Sequence, residues 1–332
     1  MRGYTVYSNN MDEITVDVRS LSKQYGNFKA VDDISFKVKK GEIFGLLGPN
    51  GAGKTTTIKL LTTLSAPTSG EAFVAGYSIL NKQKEVKRNI GWVSAEIILD
   101  DDLNAWENLG LQAALQGITK WEESANALLK YFQLSEFKYK NVGKFSTGMR
   151  KKLEIAMALL NSPQVIFMDE PTIGLDVSTR KMLWDLILLI KNEYKVTVFL
   201  TTHYMEEADQ LCDRIAIISH GKIIALGSPT ELKEKAGGYA VSIEVKDGFD
   251  VSSLKNFHVL ENNQNKILIE INSKDNMLDV LKAINLEKLN SINLITPGLD
   301  SVFLKLTGST IKESEDAIDY RKFYSMVRRN SQ

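Results

Sequence analysis

The sequence has a single cysteine, Cys212, in 332 residues. An intramolecular disulfide framework is therefore excluded, and the chain suits a reducing compartment. Neither sign of charge is in excess, with 41 Lys and Arg against 41 Asp and Glu. A general nucleic-acid binder would carry a basic surplus, so no nucleic-acid partner is expected. Long apolar runs are also missing. A membrane-spanning helix needs about 20 mostly apolar residues. The most apolar helical stretch, Met182 to Ile190, is short and holds Asp185. The opening MRGYTVYSNN lacks the apolar centre of a signal peptide and reads as a loose extension, with Met11 as an alternative start. Internal repeats and low-complexity tracts are absent. What remains is an ordinary globular composition, 43% hydrophobic and 25% charged, long enough for about two domains. The chain by itself is expected to be soluble and cytoplasmic.

From Ile14 to about Lys235 short apolar runs alternate with helical stretches. Ile43 to Leu47, Val165 to Met168 and Val196 to Leu200 read as strands, each followed by a helical pattern. That order argues for a parallel sheet with crossover helices. Residues 14–40 read as β-rich, with alternation at Ile34, Phe36 and Val38. The segment from about 98 to 162 is helix-rich and reads as a helical subdomain inserted into the sheet domain. Arg214 to Leu226 reads as a hairpin turning at Ser219-His220-Gly221-Lys222. The character changes at Gly237-Gly238. Val241, Ile243 and Val245 predict a half-buried strand. Ile267, Ile269 and Ile271 repeat that spacing, with Leu268 interrupting the polar face. Met277, Leu278, Leu281 and Ile284 follow helical spacing, Ile292 and Leu294 suggest a strand, and Val302 to Leu306 a short helix. The expected division is an extension at 1–13, an α/β domain at 14–236, a small α+β domain at 237–308 and a charged tail at 309–332. The tail is acidic first (Glu313, Glu315, Asp316, Asp319) and then basic (Arg321, Lys322, Arg328, Arg329). It reads as solvated.

The strongest chemical signal runs from Gly48 through Pro49, Asn50, Gly51, Ala52, Gly53 and Lys54 to Thr55, followed by Thr56. It fits GxxxxGK[ST] in full, between a strand and a helix. A chance match arises in roughly one chain in a hundred of this length, given the usual glycine content. The glycines let backbone N–H groups and a helix N-terminus close on phosphate oxygens. Lys54 can reach the β/γ-phosphates, and the Thr55 hydroxyl can ligate Mg²⁺. The second signal is Val165-Ile-Phe-Met-Asp-Glu170. A buried strand delivers Asp169 for Mg²⁺ coordination and Glu170 as general base toward an attacking water. Phe145-Ser-Thr-Gly-Met149 opens a helical stretch, and a Ser and a Gly at a helix start make an anion site. Phe199-Leu-Thr-Thr-His203 sets a histidine just past a strand end, placed for a γ-phosphate contact.

Together these residues resemble the ATP-binding subunit of an ABC transporter, over about Ile14 to Lys235. Gly48–Thr55 matches the Walker A loop and Val165–Glu170 matches Walker B. Ser146, Thr147, Gly148 and Met149 resemble the LSGGQ signature, Ile173-Gly-Leu-Asp176 the D-loop and His203 the switch histidine. Tyr25 matches the aromatic that stacks on adenine. The run from Ser146 to Leu159 looks most like daunorubicin-type drug-export ATPases, and the C-terminal domain is similar to the extra domain many of those carry. The resemblance implies an α/β P-loop cassette with a β-rich N-terminal subdomain and an inserted helical subdomain, followed by a small α+β domain. It implies ATP and Mg²⁺ as ligands and a head-to-tail homodimer formed on ATP binding. Ser146–Met149 would then act in trans. It also implies separate transmembrane permease subunits that hold the chain at the inner face of the membrane, and a role as the ATPase energising export. The alternative is a soluble ABC ATPase of translation or DNA-repair type.

The sequence departs from the pattern at Phe145 and Thr147, where Leu and Gly are usual, and at Ala95, which aligns with the Q-loop glutamine. Glu96 is the candidate to replace that glutamine. Asp100-Asp101-Asp102 reads as a solvated loop. Cys212, Trp92, Trp106, Trp121 and Trp184 read as packing residues, and His220 and His258 as structural. The C-terminal domain carries no cluster of metal-ligating or catalytic residues and reads as a regulatory or dimer-stabilising module.

Overall fold

A computed structural model describes residues 14–246, 249, 254–263, 265–296 and 298–307. The expected N-terminal extension with Met11 and the charged tail at 309–332 lie outside the described residues. Contacts divide the chain into two units between Leu226 and Gly227.

The first unit begins with β1 (Ile14–Tyr25), β2 (Phe28–Lys39), β3 (Ile43–Leu47), α1 (Lys54–Leu61), β4 (Ser69–Val74), β5 (Tyr77–Ser78), α2 (Gln83–Asn89) and β6 (Ile90–Val93). It continues with α3 (Ala105–Gln116), α4 (Glu122–Tyr131), α5 (Thr147–Leu159), β7 (Val165–Asp169) and α6 (Val177–Tyr194). It closes with β8 (Thr197–Thr202), α7 (Met205–Leu211), β9 (Arg214–Ser219) and β10 (Lys222–Gly227). A six-stranded sheet has the order β10-β9-β3-β8-β7-β6, and a four-stranded sheet the order β2-β1-β4-β5.

The three strands expected from apolar runs lie side by side as β3, β8 and β7, all parallel. Every residue in them is buried, because crossover helices cover both faces of a parallel sheet. The sequence reading missed β6, which has four residues and a glycine, too short for a periodicity signal. Pairing with β7 makes it a strand. Phe36, Phe44 and Phe199 stack with centroids 5.2–5.9 Å apart, and Phe167 joins Phe199 at 5.4 Å.

The inserted helices α3, α4 and α5 fall between β6 and β7, as expected. Asn104 and Glu107 form a capping box that starts α3. Trp106 packs on Trp121 at 4.5 Å, and the Lys138 ammonium lies 3.4 Å over the Trp106 ring. The acidic run is bound into this subdomain rather than simply solvated, since Arg150 pairs with Asp101 and Asn108 bonds both backbone groups of Asp100. The β9–β10 hairpin turns through His220 and Gly221, both at positive φ (48° and 77°). That geometry matches the twist of a two-residue turn.

The second unit holds α8 (Pro229–Ala236), β11 (Tyr239–Val245), β12 (His258–Asn263), β13 (Lys266–Ile271), α9 (Met277–Ala283), β14 (Leu289–Ile295) and α10 (Leu299–Thr307). Its antiparallel sheet has the order β12-β13-β11-β14. The division falls earlier than the glycine pair suggests. The helix α8, which the sequence reading placed in the first domain, packs beside α10 instead. The expected half-buried β11 is buried on both faces. Val241, Ile243 and Val245 enter the main core, while Ala240 on the other face joins Leu260 and Leu268 in a second cluster. Leu268, which broke the polar alternation of β13, was the trace of that second cluster. On α9 the buried position is Val280, and Leu278 is 60% exposed.

Phe44→Ala would open a void at the centre of the stacked phenylalanines. A loss of about 3–5 kcal/mol is expected, the usual scale for a buried aromatic. Denaturant unfolding of the purified chain measures it, and a loss under about 1 kcal/mol would contradict the assigned core.

Candidate functional site

The Gly48–Gly53 loop joins β3 to α1 and is shaped by its backing. A Cβ on Gly48 would lie 2.3 Å from the Ile218 carbonyl oxygen, and one on Gly53 2.4 Å from that of Ala30. Gly53, at φ 109°, starts α1, whose first turn carries no side-chain cap and no acid. Such a helix start directs its N–H groups outward to an anion. The β9–β10 turn braces the loop, with the Gly221 N–H donating to the Ala52 carbonyl at 3.0 Å and the Asp32 N–H donating to Gly221 at 2.9 Å.

Lys54 is only 4% exposed. Its ammonium donates to the carbonyls of Gly48 (2.8 Å) and Pro49 (3.1 Å) and pairs with Glu170 Oε1 at 2.9 Å. The other carboxylate oxygen, Oε2, meets His203 Nδ1 at 2.9 Å. Burial alone would raise the Glu170 pKa, but the His203 hydrogen bond and the Lys54 ammonium outweigh it and hold the carboxyl at about 2. Glu170 sits at φ +45°, a left-handed conformation that costs a non-glycine residue about 1–2 kcal/mol. Its N–H donates to both the carbonyl and the hydroxyl oxygen of Thr201, each at 3.1 Å. Asp169 is buried and accepts from the hydroxyls of Thr201 (2.6 Å) and Thr55 (3.3 Å).

The structure thus joins Lys54, Thr55, Asp169, Glu170 and His203 in one network. The other expected residues lie outside that network. Tyr25 is 50% exposed, with the Lys23 ammonium 4.9 Å above its ring. Ser146 caps α5 by accepting from the Met149 N–H, with Thr147 and Gly148 in the first turn. Asp176 caps α6 by accepting from the N–H and hydroxyl groups of Ser178 and Thr179, which lowers its pKa. Glu96 is exposed. Cys212 is buried and its thiol pKa is pushed up by that burial, in keeping with a packing role.

Two features of the site escaped the sequence reading. Thr201, on the strand adjacent to β7, holds the Asp169 carboxylate through its hydroxyl and Glu170 through the backbone N–H. Its signal was a pair of threonines ending an otherwise apolar run. Glu207 is fully buried and accepts from Thr172 (2.8 Å) and Trp184 (3.1 Å), tying the segment after Glu170 to α6 and α7. Among the described residues no group of three or more His, Cys, Asp or Glu is placed to hold a metal alone.

Family models match at residues 31–173, described as ABC transporter, and at residues 227–307, described as the C-terminal domain of DrrA1-3-like ATP-binding proteins. The doxorubicin resistance ATP-binding protein DrrA of Mycobacterium tuberculosis is 43% identical, over 73% of this chain and 74% of its own length. The chain belongs to the ABC transporter ATP-binding family. The daunorubicin resistance ATP-binding protein DrrA3 of Streptomyces coeruleorubidus is 34% identical over 92% of this ABC ATPase and 100% of its own length. A solved ATP-binding subunit of an ABC transporter superposes with a TM-score of 0.59 at 30% identity, covering 67% of this chain and 92% of that one. This ABC ATPase binds and hydrolyses ATP as the nucleotide-binding subunit of an exporter. Among its described residues no helix is long and apolar enough to cross a membrane.

Because its pKa is depressed, ionised Glu170 favours the folded state above the ordinary carboxylate range. That contribution is lost as pH falls from about 4.5 toward 2. Carbon NMR of the Glu170 carboxyl should show titration near that lower value, moving upward in His203→Ala. An ordinary carboxylate titration in the unaltered chain would contradict the assigned network.

Proposed function

We propose that Lys54, Thr55, Asp169, Glu170 and His203 carry out Mg²⁺-dependent ATP hydrolysis. The observation that supports this most is the shared grip of Lys54 and His203 on one carboxylate. A carboxylate held at about 2 is a weak base. When Lys54 turns to nucleotide phosphates, Glu170 loses a cation that depresses it and becomes more basic toward an attacking water. His203 keeps the carboxylate oriented during that change. The loop from Gly48 to Thr56 would surround the phosphates, with the N–H groups of Gly51, Gly53 and the start of α1 as donors, and Tyr25 would stack on adenine.

The residues present fit Mg²⁺. The Thr55 hydroxyl and Asp169 carboxylate are hard oxygen donors already within bonding distance of each other, and such a site leaves its other positions to phosphate and water oxygens. Bound there, Mg²⁺ would offset phosphate charge.

The same reading extends to partners. Two copies would pair head to tail, with Ser146–Met149 at the start of α5 facing the nucleotide of the other copy and Asp176 beside that interface. A related ATP-binding cassette of 27% identity and TM-score 0.57, covering 64% of this chain and 98% of its own, is a dimer bound to ADP and Pi. A groove of about 1050 Å³ beside the Ala95–Glu96 loop offers Leu64, Ile98 and Leu115, which are 51%, 68% and 76% exposed. Apolar exposure of that kind suits a protein partner. We assign it to a separate membrane permease, which would hold the chain at the inner face of the membrane. Relatives include doxorubicin, daunorubicin and linearmycin resistance proteins. They favour export of a drug-like compound over the soluble translation or repair reading.

Glu170→Gln should cut hydrolysis by roughly 10²–10⁴-fold, the scale of general acid–base catalysis, while ATP binding persists. Turnover near the unaltered rate would remove Glu170 from the base role. Tyr25→Ala should weaken ATP binding by about 1–3 kcal/mol, the scale of base–aromatic stacking. Calorimetry showing unchanged affinity would place adenine elsewhere.

A further inference from the structure

Ala95 has no polar side-chain atom with which to join the loop after β6 to its surroundings. The structure shows another connection immediately beside it. Lys151 and Glu154, on adjacent turns of α5, are 3% and 5% exposed, and their charged groups meet at 2.7 Å. The Lys151 ammonium also donates to the Ser94 carbonyl at 2.9 Å. The Glu154 carboxylate, paired with that ammonium, is thereby drawn to the same end of the loop. The pair therefore holds the Ser94 carbonyl, at the start of the loop that carries Ala95 and Glu96.

A second contact binds the same two elements. A Cβ on Gly91 of β6 would lie 2.3 Å from the Ala158 carbonyl oxygen of α5, so strand and helix touch backbone to backbone. Along β6, Gly91 lies opposite Ile166 and Val93 opposite Met168 on β7, one residue before Asp169. A continuous series of contacts thus runs from the Asp169–Glu170 carboxylates through β6 and its loop to α5, the helix that Ser146 caps.

Stability alone does not account for the pair. A buried ion pair suffers a desolvation cost, and an apolar pair of similar volume often serves as well or better. Burial pushes the Glu154 carboxyl above the ordinary range even against the adjacent ammonium. What the pair supplies is direction, since its hydrogen bonds set one register of loop on helix where apolar contacts would allow sliding.

We propose that Lys151 and Glu154 are positioning residues that lock the loop after β6 to the Ser146 helix. Movement at the carboxylates of one nucleotide site then passes to the helix start serving the other. The proposal rests on the head-to-tail dimer proposed above.

The test uses the full chain carrying Lys151→Met and Glu154→Leu together. ATP hydrolysis is followed against ATP concentration, and folding by circular dichroism and thermal midpoint. The unaltered protein should show a Hill coefficient approaching about 2, the limit for two coupled sites. The double variant should remain folded, with half-saturating ATP little changed and cooperativity lost. A folded double variant with undiminished cooperativity overturns the inference and leaves the dimer standing. Hyperbolic saturation in the unaltered protein overturns the inference, and a chain that stays monomeric with ATP in gel filtration overturns the dimer. If the double variant does not fold, Glu154→Gln decides by the same readout. It keeps the size and one acceptor oxygen but removes the charge that pairs with Lys151. Lost cooperativity supports the proposal, and retained cooperativity overturns it.

Discussion

The pairing of Lys54 with Glu170 is the interaction on which the site depends. It joins the first chemical motif to the second although the two lie far apart in the chain. An ammonium taken almost out of water needs several partners to offset its lost hydration. Two loop carbonyls and one carboxylate oxygen supply them here. The same contact sets the chemistry, because the cation that holds the carboxylate also weakens it as a base. In the mechanism we propose, activation and nucleotide recognition become one event, the transfer of Lys54 from Glu170 to phosphate.

That arrangement is held from behind by ordinary secondary structure. Thr201, on the strand beside β7, receives the backbone of Glu170 and donates to Asp169, so the two carboxylates keep separate orientations although they are adjacent in sequence. The β9–β10 turn supports the phosphate loop through Gly221. Neither Thr201 nor Gly221 needs to touch a nucleotide. Both limit where the groups that do touch it can go, which is how a rigid outer layer gives precision to a binding site.

Legibility in the sequence followed the range of the interactions. The phosphate loop and β7 were readable because their chemistry is local, a glycine spacing and an apolar run ending in two acids. The strands β3, β7 and β8 were readable because full burial on both faces demands continuous apolar residues. The strand β6 was not, since its four residues become a strand by pairing with β7. The boundary at Gly237-Gly238 misplaced α8, because a glycine pair marks a chain turn while the domain division depends on what the helix packs against. Glu96 looked available from its position next to Ala95. The structure leaves it exposed and gives the loop to Lys151 and Glu154, whose i, i+3 spacing looks in sequence like any surface ion pair on a helix.

By itself, then, the amino-acid order determined the class of fold, the ligand class and the motifs that meet in the candidate site, because each rests on short spacings that backbone geometry reads directly. Only the tertiary structure decided that Lys54 and His203 share one carboxylate, that Thr201 and Gly221 brace the site, and that a buried ion pair ties the loop after β6 to α5. Those contacts join residues far apart in the chain or depend on burial. Their hydrogen bonds and desolvation exist only once the sheet has brought its strands side by side.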